Sequence, residues 1–313
     1  MIIFSEYFKS WVSSYYKNAK IGKNGDFYTS VTSSKFFGGS IANYILKNLE
    51  NGNLKLPLKI IDIGGNNLNL LNDIYEFLNA ISVNVVENCE FILVESNHLV
   101  ESSLKIRVVR GLENIINDSN IFFIANELFD ALPCELFDNN KMAFIENNEI
   151  IFKSANIDII NLASSFGIKK GEIPLSYFKF CKILESFKFI FLVCDYGSEI
   201  NRNDFSLRIF HKHQIINPFN KKLDMFFGKS DITYNVPFLF LDKAFIDIGS
   251  KKVLYKRQDL ALVEDFGILD LCQSFYDSSH ISEHIYIRES NKIKILLNEL
   301  SAKFKIAIYS NFL

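Results

Sequence analysis

The sequence lacks the features that mark several common classes of protein. Its 313 residues contain five cysteines, an odd number, and no two of them have the spacing Cys-x-x-Cys. They lie far apart along the chain, at Cys89, Cys134, Cys181, Cys194 and Cys272. This pattern argues against a disulfide framework and against a zinc site built from cysteine. It is typical of free thiols in a reducing compartment.

Long apolar runs and blocks of one charge are also missing. No stretch reaches the roughly 18 consecutive apolar residues that span a bilayer. Residues 1–17 carry Glu6 and Lys9 where a secretory signal would be continuously apolar. The formal net charge is -2, so no nucleic-acid partner is predicted. The densest basic cluster, interpreted as a solvated face, consists of Lys251, Lys252, Lys256 and Arg257. We therefore expect a cytoplasmic protein without membrane insertion.

The motifs of several enzyme classes are absent as well. The sequence has no G-x-S-x-G elbow, no Walker A loop and no Cys/His cluster, which argues against hydrolases and nucleoside triphosphatases of those types. His280, Glu283 and His284 follow the order H-x-x-E-H, which resembles an inverted zincin pattern. A third ligand is not evident, so no metal site is predicted.

Five apolar runs of β-forming residues indicate the fold. Each is apolar on successive residues, which is typical of strands covered on both faces. The runs span residues 58–64, 90–96, 105–111, 120–127 and 188–197. Helical patterns lie between them, so the alternation predicts a doubly wound α/β domain. In such sheets ligands bind at the carboxyl ends of the strands, and the residues just after each run are the ones to inspect.

The rest of the chain is predicted more coarsely. Residues 142–152 form two strand-like halves around Asn147 and Asn148, and Asn tolerates positive φ, so a hairpin is expected there. Residues 157–187 and 257–302 read as mostly helical, and residues 303–310 alternate like a closing strand. One elaborated domain is expected, without internal repeats.

The stretch "IIDIGGNNLNLL", residues 60–71, has the form of a nucleotide-binding turn. Gly64 and Gly65 permit a tight turn with positive φ and close approach of a ligand. Asn66 and Asn67 partly substitute for glycine, because Asn visits the left-handed region more readily than other residues. Leu68 offers no such approach. The bare pattern fits a cofactor turn and a plain strand-to-helix connection equally well.

Acidic and amide residues follow two other runs. Glu95 ends the second run, where a carboxylate can accept both hydroxyls of a ribose or simply cap a helix. Asn126, Glu127 and Asp130 follow the fourth run, in "ANELFDALP". They would stand at the ligand edge of the sheet, and helix capping by Asn126 or Asp130 is the alternative interpretation.

These blocks, in this order, resemble the MidA family. Its members are class I S-adenosylmethionine-dependent methyltransferases implicated in protein-arginine methylation, and its mitochondrial members act in respiratory complex I assembly. The matching blocks are "GDFYTS" (25–30), "FFGG" (36–39), "DIGGNNL" (62–68), "LVES" (93–96), "ANELFDALP" (125–133), "DYG" (195–197), "LR" (207–208), "DITYNVPF" (231–238) and "QDLALVEDFGI" (258–268). The block at 125–133 is the most specific.

The resemblance implies a doubly wound, mainly parallel, seven-stranded class I methyltransferase sheet of Rossmann-like type with helical insertions. Residues 1–313 would form a single domain. Within it the segments would be a helical, cofactor-covering part (1–50), an α/β core (55–155, 188–256 and 303–313) and helical insertions (157–187 and 257–302).

The resemblance also implies site residues for S-adenosylmethionine and for a protein substrate. The implied cofactor-binding residues are Gly25, Asp26, Thr29, Ser30, Asp62, Gly64, Gly65, Asn66, Glu95, Ser96 and Asn126. The implied catalytic residues are Glu127 and Asp130, and the implied substrate-binding residues are Phe129, Asp195 and Tyr196. Glu127 could hydrogen-bond two nitrogens of an arginine in a fork and shift electron density onto the third.

Departures from the family pattern leave alternatives open. Asn66, Asn67 and Leu68 replace two of the three loop glycines and the arginine of the family pattern. This favours, as a second interpretation, a binding or assembly factor that has lost its chemistry. A small-molecule or RNA methyltransferase is the third. Residues 224–231 are interpreted as core, and an exposed substrate or dimer surface there would leave a homodimer open.

Overall fold

The computed structural model describes residues 1–17, 34–96, 100–212, 214–278, 282–300 and 303–313. The chain divides into two compact units. The first unit comprises Met1–Phe27, Glu127–Glu185 and Tyr196–Gly249. The second comprises Tyr28–Asn126, Ser186–Asp195 and Ser250–Leu313. We describe each unit by itself.

The helices of the described residues are numbered in chain order. They are α1 (Phe4–Tyr16), α2 (Lys35–Glu50), α3 (Asn69–Ile81), α4 (Val83–Glu87), α5 (Ile157–Ser165), α6 (Leu175–Leu184), α7 (Phe238–Asp247), α8 (Gln258–Glu264), α9 (Ile268–Tyr276) and α10 (Glu283–Ile295). A π-helical turn, Leu296–Leu300, follows α10. Short 3-10 turns span Leu112–Asn114, Phe129–Ala131 and Leu223–Met225.

The strands are numbered in the same way. They are β1 (Ile2–Ile3), β2 (Leu58–Ile63), β3 (Cys89–Val94), β4 (Ile106–Val109), β5 (Asn120–Asn126), β6 (Glu135–Asp138), β7 (Lys141–Glu146), β8 (Glu149–Ser154), β9 (Lys170–Ile173), β10 (Phe189–Ser198), β11 (Arg208–His211), β12 (Gln214–Ile216), β13 (Asp231–Thr233), β14 (Val236–Pro237), β15 (Lys251–Arg257) and β16 (Phe304–Ser310).

The second unit is built on a mixed sheet with the order β4-β3-β2-β5-β10-β16-β15. The neighbours from β4 to β10 pair in parallel, and β15 pairs with β16 in antiparallel fashion. If the five parallel strands are numbered by their order in the chain, their order across the sheet is 3-2-1-4-5. This is the doubly wound order, which places a topological switch point between β2 and β5. All five apolar runs of the sequence form strands of this sheet, which confirms the predicted α/β class.

The turn after β2 is carried by α3, which packs against α2. The apolar side of α3 buries Leu70, Leu71, Ile74 and Leu78, at the spacing of one helical face. On α2 a Cβ atom at Gly38 would lie 2.6 Å from the Asp73 Cβ. The "FFGG" block therefore lets two helix backbones approach closely, and α2 helps to fix where α3 begins.

The first unit is mostly antiparallel. One sheet has the order β1-β7-β6-β9 with β8 paired to β7, and a smaller one has the order β12-β11-β13. Asn147 (φ 52°) and Asn148 (φ 63°) form the turn between β7 and β8, which confirms the predicted hairpin. Helix α1 buries Phe4, Phe8 and Trp11 completely.

The structure corrects two expectations about the helical insertions and the α/β core. Residues 157–187 contain the strand β9 between α5 and α6, because this segment pairs with β6. Residues 127–155 and 196–249, expected in the α/β core, belong to the antiparallel first unit instead. The strands of these residues pair with one another, with β1 and with β9 in antiparallel fashion, except that β14 pairs in parallel with Gly197 and Ser198 at the end of β10. That the whole chain is one domain stays a prediction.

Several smaller expectations can be compared with the structure. The described part of residues 257–302 is mostly helical, in α8, α9, α10 and the π-helical turn, although Arg257 ends β15, and β16 is the predicted closing strand. The basic cluster lies on β15, where Lys251, Lys252 and Arg257 are exposed. The interpretation of residues 224–231 as core holds only in part, because Phe227 packs on the Tyr7 and Trp11 rings but is half-buried, and Met225 is exposed. Among the described helices, none combines the length and hydropathy that crossing a bilayer requires.

Candidate active site

The glycine turn, residues 64–68, follows β2 at the switch point of the second unit. Gly64 has a φ of 73°, and its N–H donates to the Val94 carbonyl oxygen at 2.9 Å. Asn66 has a φ of 56°, the left-handed conformation that glycine usually supplies. The Asn67 Oδ1 accepts a hydrogen bond from the Asn69 N–H at 2.8 Å at the start of α3. Asn66 thus adopts the backbone conformation that glycine usually supplies, and the Asn67 side chain caps the start of α3.

Gly65 has no room for a side chain. A Cβ atom there would overlap with the Asp62 Oδ2 and lie 3.0 Å from the Leu93 Cδ1. The glycine is therefore required by the carboxylate beside it.

Asp62, near the end of β2, is a buried carboxylate. It is fully buried, and neither of its oxygens has a hydrogen bond among the described residues. Burial, together with the nearby charge of Glu95, raises the pKa of Asp62 from 3.8 to about 7. A buried carboxylate of this kind is stabilised by a cationic ligand or a hydrogen-bond donor.

Glu95, directly after β3, lies beside the glycine turn. Its Oε2 accepts a hydrogen bond from the Asn66 N–H at 3.0 Å, and the Ser96 hydroxyl lies 3.4 Å from its Oε1. Asn126 ends β5 and is the register partner of Cys194 on β10, which directly precedes the buried Asp195. The second unit therefore brings its predicted cofactor residues to the carboxyl ends of neighbouring strands.

These residues fit S-adenosylmethionine. Its amino acid part carries an ammonium group that would satisfy Asp62, and its ribose carries the two hydroxyls that Glu95 could accept. The left-handed turn at Gly64–Asn66 is the backbone form that such ligands approach. The half-exposed Leu68 is the departure from that form. Gly25, Asp26, Thr29 and Ser30 lie outside the described residues.

A second group of predicted residues lies in the first unit, in what we call the acidic turn, residues 127–132. Glu127 begins this turn with a φ of 53°, which is rare for a residue with a side chain. Phe129 is completely buried, and Asp130 is only 4% exposed.

Asp130 is held in a polar cluster. Burial raises its pKa to about 6, while a hydrogen bond with Tyr196 and the charge of Arg208 act in the opposite direction. The Tyr196 hydroxyl lies 2.9 Å from the Thr233 Oγ1. The Arg208 guanidinium lies 4.5 Å from the centre of the Tyr196 ring and donates to the Asn235 Oδ1 at 2.6 Å.

The sequence analysis assigned no role to several residues of this cluster. Arg208 and Thr233 lie in the blocks "LR" and "DITYNVPF", so the order of the blocks was the available signal. Tyr16, at the end of α1, has its pKa raised well above 10.0 by burial and by the neighbouring carboxylates of Asp231, Asp130 and Glu127. Its sequence context gave no signal.

His284 of the histidine pair lies in the first turn of α10. His280 lies outside the described residues. Among those that the structure describes, no group of three or more His, Cys, Asp or Glu side chains could hold a metal ion.

Comparisons with known proteins decide the family. Residues 40–255 match the model of a family described as "Putative S-adenosyl-L-methionine-dependent methyltransferase". The chain belongs to this family. The match confirms the resemblance read from the motif blocks, and with it S-adenosylmethionine as the cofactor of the family.

Individual relatives are distant. The chain is 24% identical over 291 residues to a Caenorhabditis elegans protein named "Protein arginine methyltransferase NDUFAF7 homolog, mitochondrial". The alignment covers 77% of this chain and 67% of that protein. It is 17% identical to a Burkholderia thailandensis protein solved bound to S-adenosyl-homocysteine, with a TM-score of 0.76 over 99% of this chain and 87% of that one. A native crystal structure of an uncharacterized protein from the same organism gives a TM-score of 0.75 at 18% identity over the same shares. These structures show a shared fold.

Proposed function

We propose that this protein is a class I S-adenosylmethionine-dependent methyltransferase whose acceptor is an arginine side chain of a protein substrate. The doubly wound strand order and the antiparallel pair β15–β16 support the class I assignment. The Caenorhabditis elegans relative, named a protein arginine methyltransferase, supports the acceptor. A respiratory complex I-type subunit is the substrate that the family resemblance suggests.

The observation that carries the acceptor proposal is the acidic turn. Glu127 and Asp130 place two carboxyl groups on one short turn directly after β5. An arginine stays protonated, with a pKa above about 12, so carboxylates are its natural partners. A fork of hydrogen bonds from Glu127 to two guanidinium nitrogens would hold the third in position.

The transfer itself is an in-line displacement, and positioning contributes much of its acceleration. S-adenosylmethionine supplies a methyl group on a positively charged sulfur. Transfer of that methyl group to a guanidinium nitrogen would leave S-adenosyl-homocysteine and release one proton from the acceptor. The chain's residues would orient the acceptor (Glu127), receive or pass on that proton (Asp130) and bind the ribose (Glu95).

A methylation assay tests this proposal. The wild-type protein is incubated with methyl-labelled S-adenosylmethionine and either an arginine-containing peptide or the same peptide with lysine. We expect label only on arginine. Glu127→Gln should bind S-adenosyl-homocysteine as the wild type does and lose turnover roughly a hundredfold. Glu146→Gln, a change of the same type on an exposed part of β7, is the control. Retained turnover in Glu127→Gln would reject the role of this carboxylate.

One observation favours a second candidate, a binding or assembly factor without turnover. The Glu95 carboxylate already accepts the Asn66 N–H, and Leu68 replaces a loop glycine of the family pattern. Calorimetric titration with S-adenosyl-homocysteine separates the two candidates. Micromolar binding that is lost in Glu95→Ala supports the enzyme. If the folded wild type does not bind S-adenosyl-homocysteine at concentrations up to about 1 mM, its binding free energy is weaker than roughly -4 kcal/mol. The binding factor would then be the favoured candidate.

For the setting of this activity we propose the cytoplasm and no nucleic-acid partner. All five cysteines are free thiols in the structure, which supports a reducing compartment. The formal net charge of -2 supports a protein acceptor over an RNA acceptor.

A further inference from the structure

The acidic turn begins with a strained residue. Glu127 has a φ of 53°, and a side chain in this left-handed region crowds the following carbonyl group. Such a conformation persists only where the surrounding structure holds it, and residues held in this way cluster at functional sites. The question is which groups of the first unit hold the turn.

Two buried tyrosines supply the hydrogen bonds. The Tyr177 hydroxyl on α6 donates to the Phe129 carbonyl oxygen at 2.9 Å. The Tyr234 hydroxyl donates to the Leu132 carbonyl oxygen at 2.9 Å, and the Tyr234 N–H donates to the Asp130 carbonyl oxygen at 3.3 Å. Three carbonyl groups of one short turn are thus bound from outside the turn.

The two hydroxyls belong to one buried arrangement. They lie 3.2 Å apart, and both side chains are completely inaccessible to solvent. The Phe129 ring meets the Tyr177 ring edge to face, with 5.2 Å between the ring centres. Burial raises the pKa of Tyr234 well above 10.0, so its hydroxyl keeps its proton and remains a donor. Because the rings are fixed by packing, the hydroxyls form a rigid clamp.

We propose that Tyr177 and Tyr234 are positioning residues: their hydroxyls hold the acidic turn so that Glu127 keeps its left-handed backbone and its carboxylate keeps one direction. The catalytic part of this inference rests on the proposed function. The clamp itself does not.

A strain measurement tests the clamp without any turnover. Glu127→Ala and Glu127→Gly both remove the carboxylate, but only glycine relieves the left-handed strain. In the wild-type background we expect the glycine variant to melt about 2 °C above the alanine variant. In the background of Tyr177→Phe and Tyr234→Phe, the turn can relax and the difference should vanish. An undiminished difference in that background overturns the clamp.

Kinetics test the catalytic part. Tyr177→Phe and Tyr234→Phe should each lower kcat roughly tenfold or more, with the KM for the peptide and the affinity for S-adenosyl-homocysteine unchanged. A loss of stability alone would not split kcat from KM in this way. Tyr7→Phe is the matched control, since the Tyr7 ring packs on Trp11 and Phe227 and its hydroxyl makes no hydrogen bond among the described residues. Unchanged kcat in both clamp variants overturns the positioning role.

The two failures are distinguishable. A wild type that binds S-adenosyl-homocysteine and methylates no arginine peptide overturns the proposed function and the catalytic part with it. The comparison of melting temperatures still decides the clamp in that case. Active protein with an undiminished glycine-alanine difference leaves the function standing and removes the clamp.

Discussion

Asp62 has an environment unlike that of an ordinary surface carboxylate. It is completely buried, its two oxygens have no hydrogen bond among the described residues, and Gly65 leaves no space for a shielding side chain. A carboxylate in this position destabilises the ligand-free protein when it is ionised. The sign of its effect on stability follows from the direction of the pKa shift.

The raised pKa of Asp62 makes the stability of the protein depend on pH. The pKa of Asp62 is raised from 3.8 to about 7, so between these values the folded protein holds a proton that the unfolded chain releases. Stability contributed in this way is complete below about pH 4 and is lost as the pH rises to about 7. Asp62→Asn lacks this dependence. In urea unfolding, the free energy of unfolding of Asp62→Asn should rise relative to that of the wild type between about pH 4 and 7, by up to about 4 kcal/mol.

Asp118→Asn is the control for this measurement. The pKa of the exposed Asp118 is lowered by its hydrogen bond with Lys59, so its titration lies below the window. The difference between this variant and the wild type should therefore stay constant from about pH 5 to 8. A constant difference for Asp62→Asn as well would contradict the assignment of a buried, unpartnered carboxylate.

At the scale of elements, the packing of α2 on α3 connects the "FFGG" block to the glycine turn. A Cβ at Gly38 would lie 2.6 Å from the Asp73 Cβ and 3.3 Å from the Ile74 nitrogen. The three atoms nearest to a Cβ at Gly39 all belong to the Phe77 ring, the first of them at 2.5 Å. Backbone cannot move aside as a side chain can, so the two glycines should differ in their tolerance of a methyl group.

We therefore predict that Gly38→Ala destabilises the protein by up to about 2 kcal/mol. This is the overpacking cost of roughly 1–3 kcal/mol, reduced by the better helix propensity of alanine of about 1 kcal/mol. Gly39→Ala should cost less, because the Phe77 ring can rotate. Since α3 begins directly after the glycine turn, Gly38→Ala should also weaken binding of S-adenosyl-homocysteine. Denaturant unfolding and calorimetry measure both effects, and equal stability of the two variants would contradict the packing argument.

At the scale of the whole molecule, the balance of charge bears on the acceptor. The chain has 34 Lys and Arg against 36 Asp and Glu. Several exposed lysines are paired with acids, for example Lys170 with Asp204 and Lys222 with Glu149. Binding to a nucleic acid backbone depends on neutralising several phosphates at once.

We predict that the protein binds a labelled RNA no more tightly than the non-specific range, with a Kd weaker than about 1 µM at physiological salt. Fluorescence anisotropy measures this directly. A tight complex whose affinity falls steeply with salt would favour the RNA methyltransferase over the protein methyltransferase. A peptide acceptor should show a much weaker salt dependence.

Much of the fold followed from local patterns. The five apolar runs and the Asn147-Asn148 turn reappear as β2, β3, β4, β5, β10 and the β7–β8 hairpin. The short strands β9, β11 and β13 were not predicted. They have three or four residues each, and they form because they pair with distant partners. Their own periodicity is too short to indicate a strand.

The α/β class, the family and the types of residue at the strand ends could all be predicted from the sequence. This was possible because apolar runs, left-handed asparagines and acids after strands are local properties of the chain. The folded structure was needed to show that the Asp62 oxygens have no hydrogen bond among the described residues and that Arg208 stacks on Tyr196. It also decided that Tyr177 and Tyr234 hold the acidic turn across 48 and 102 positions of sequence. Burial and hydrogen bonding depend on neighbours in space, and no local pattern records them.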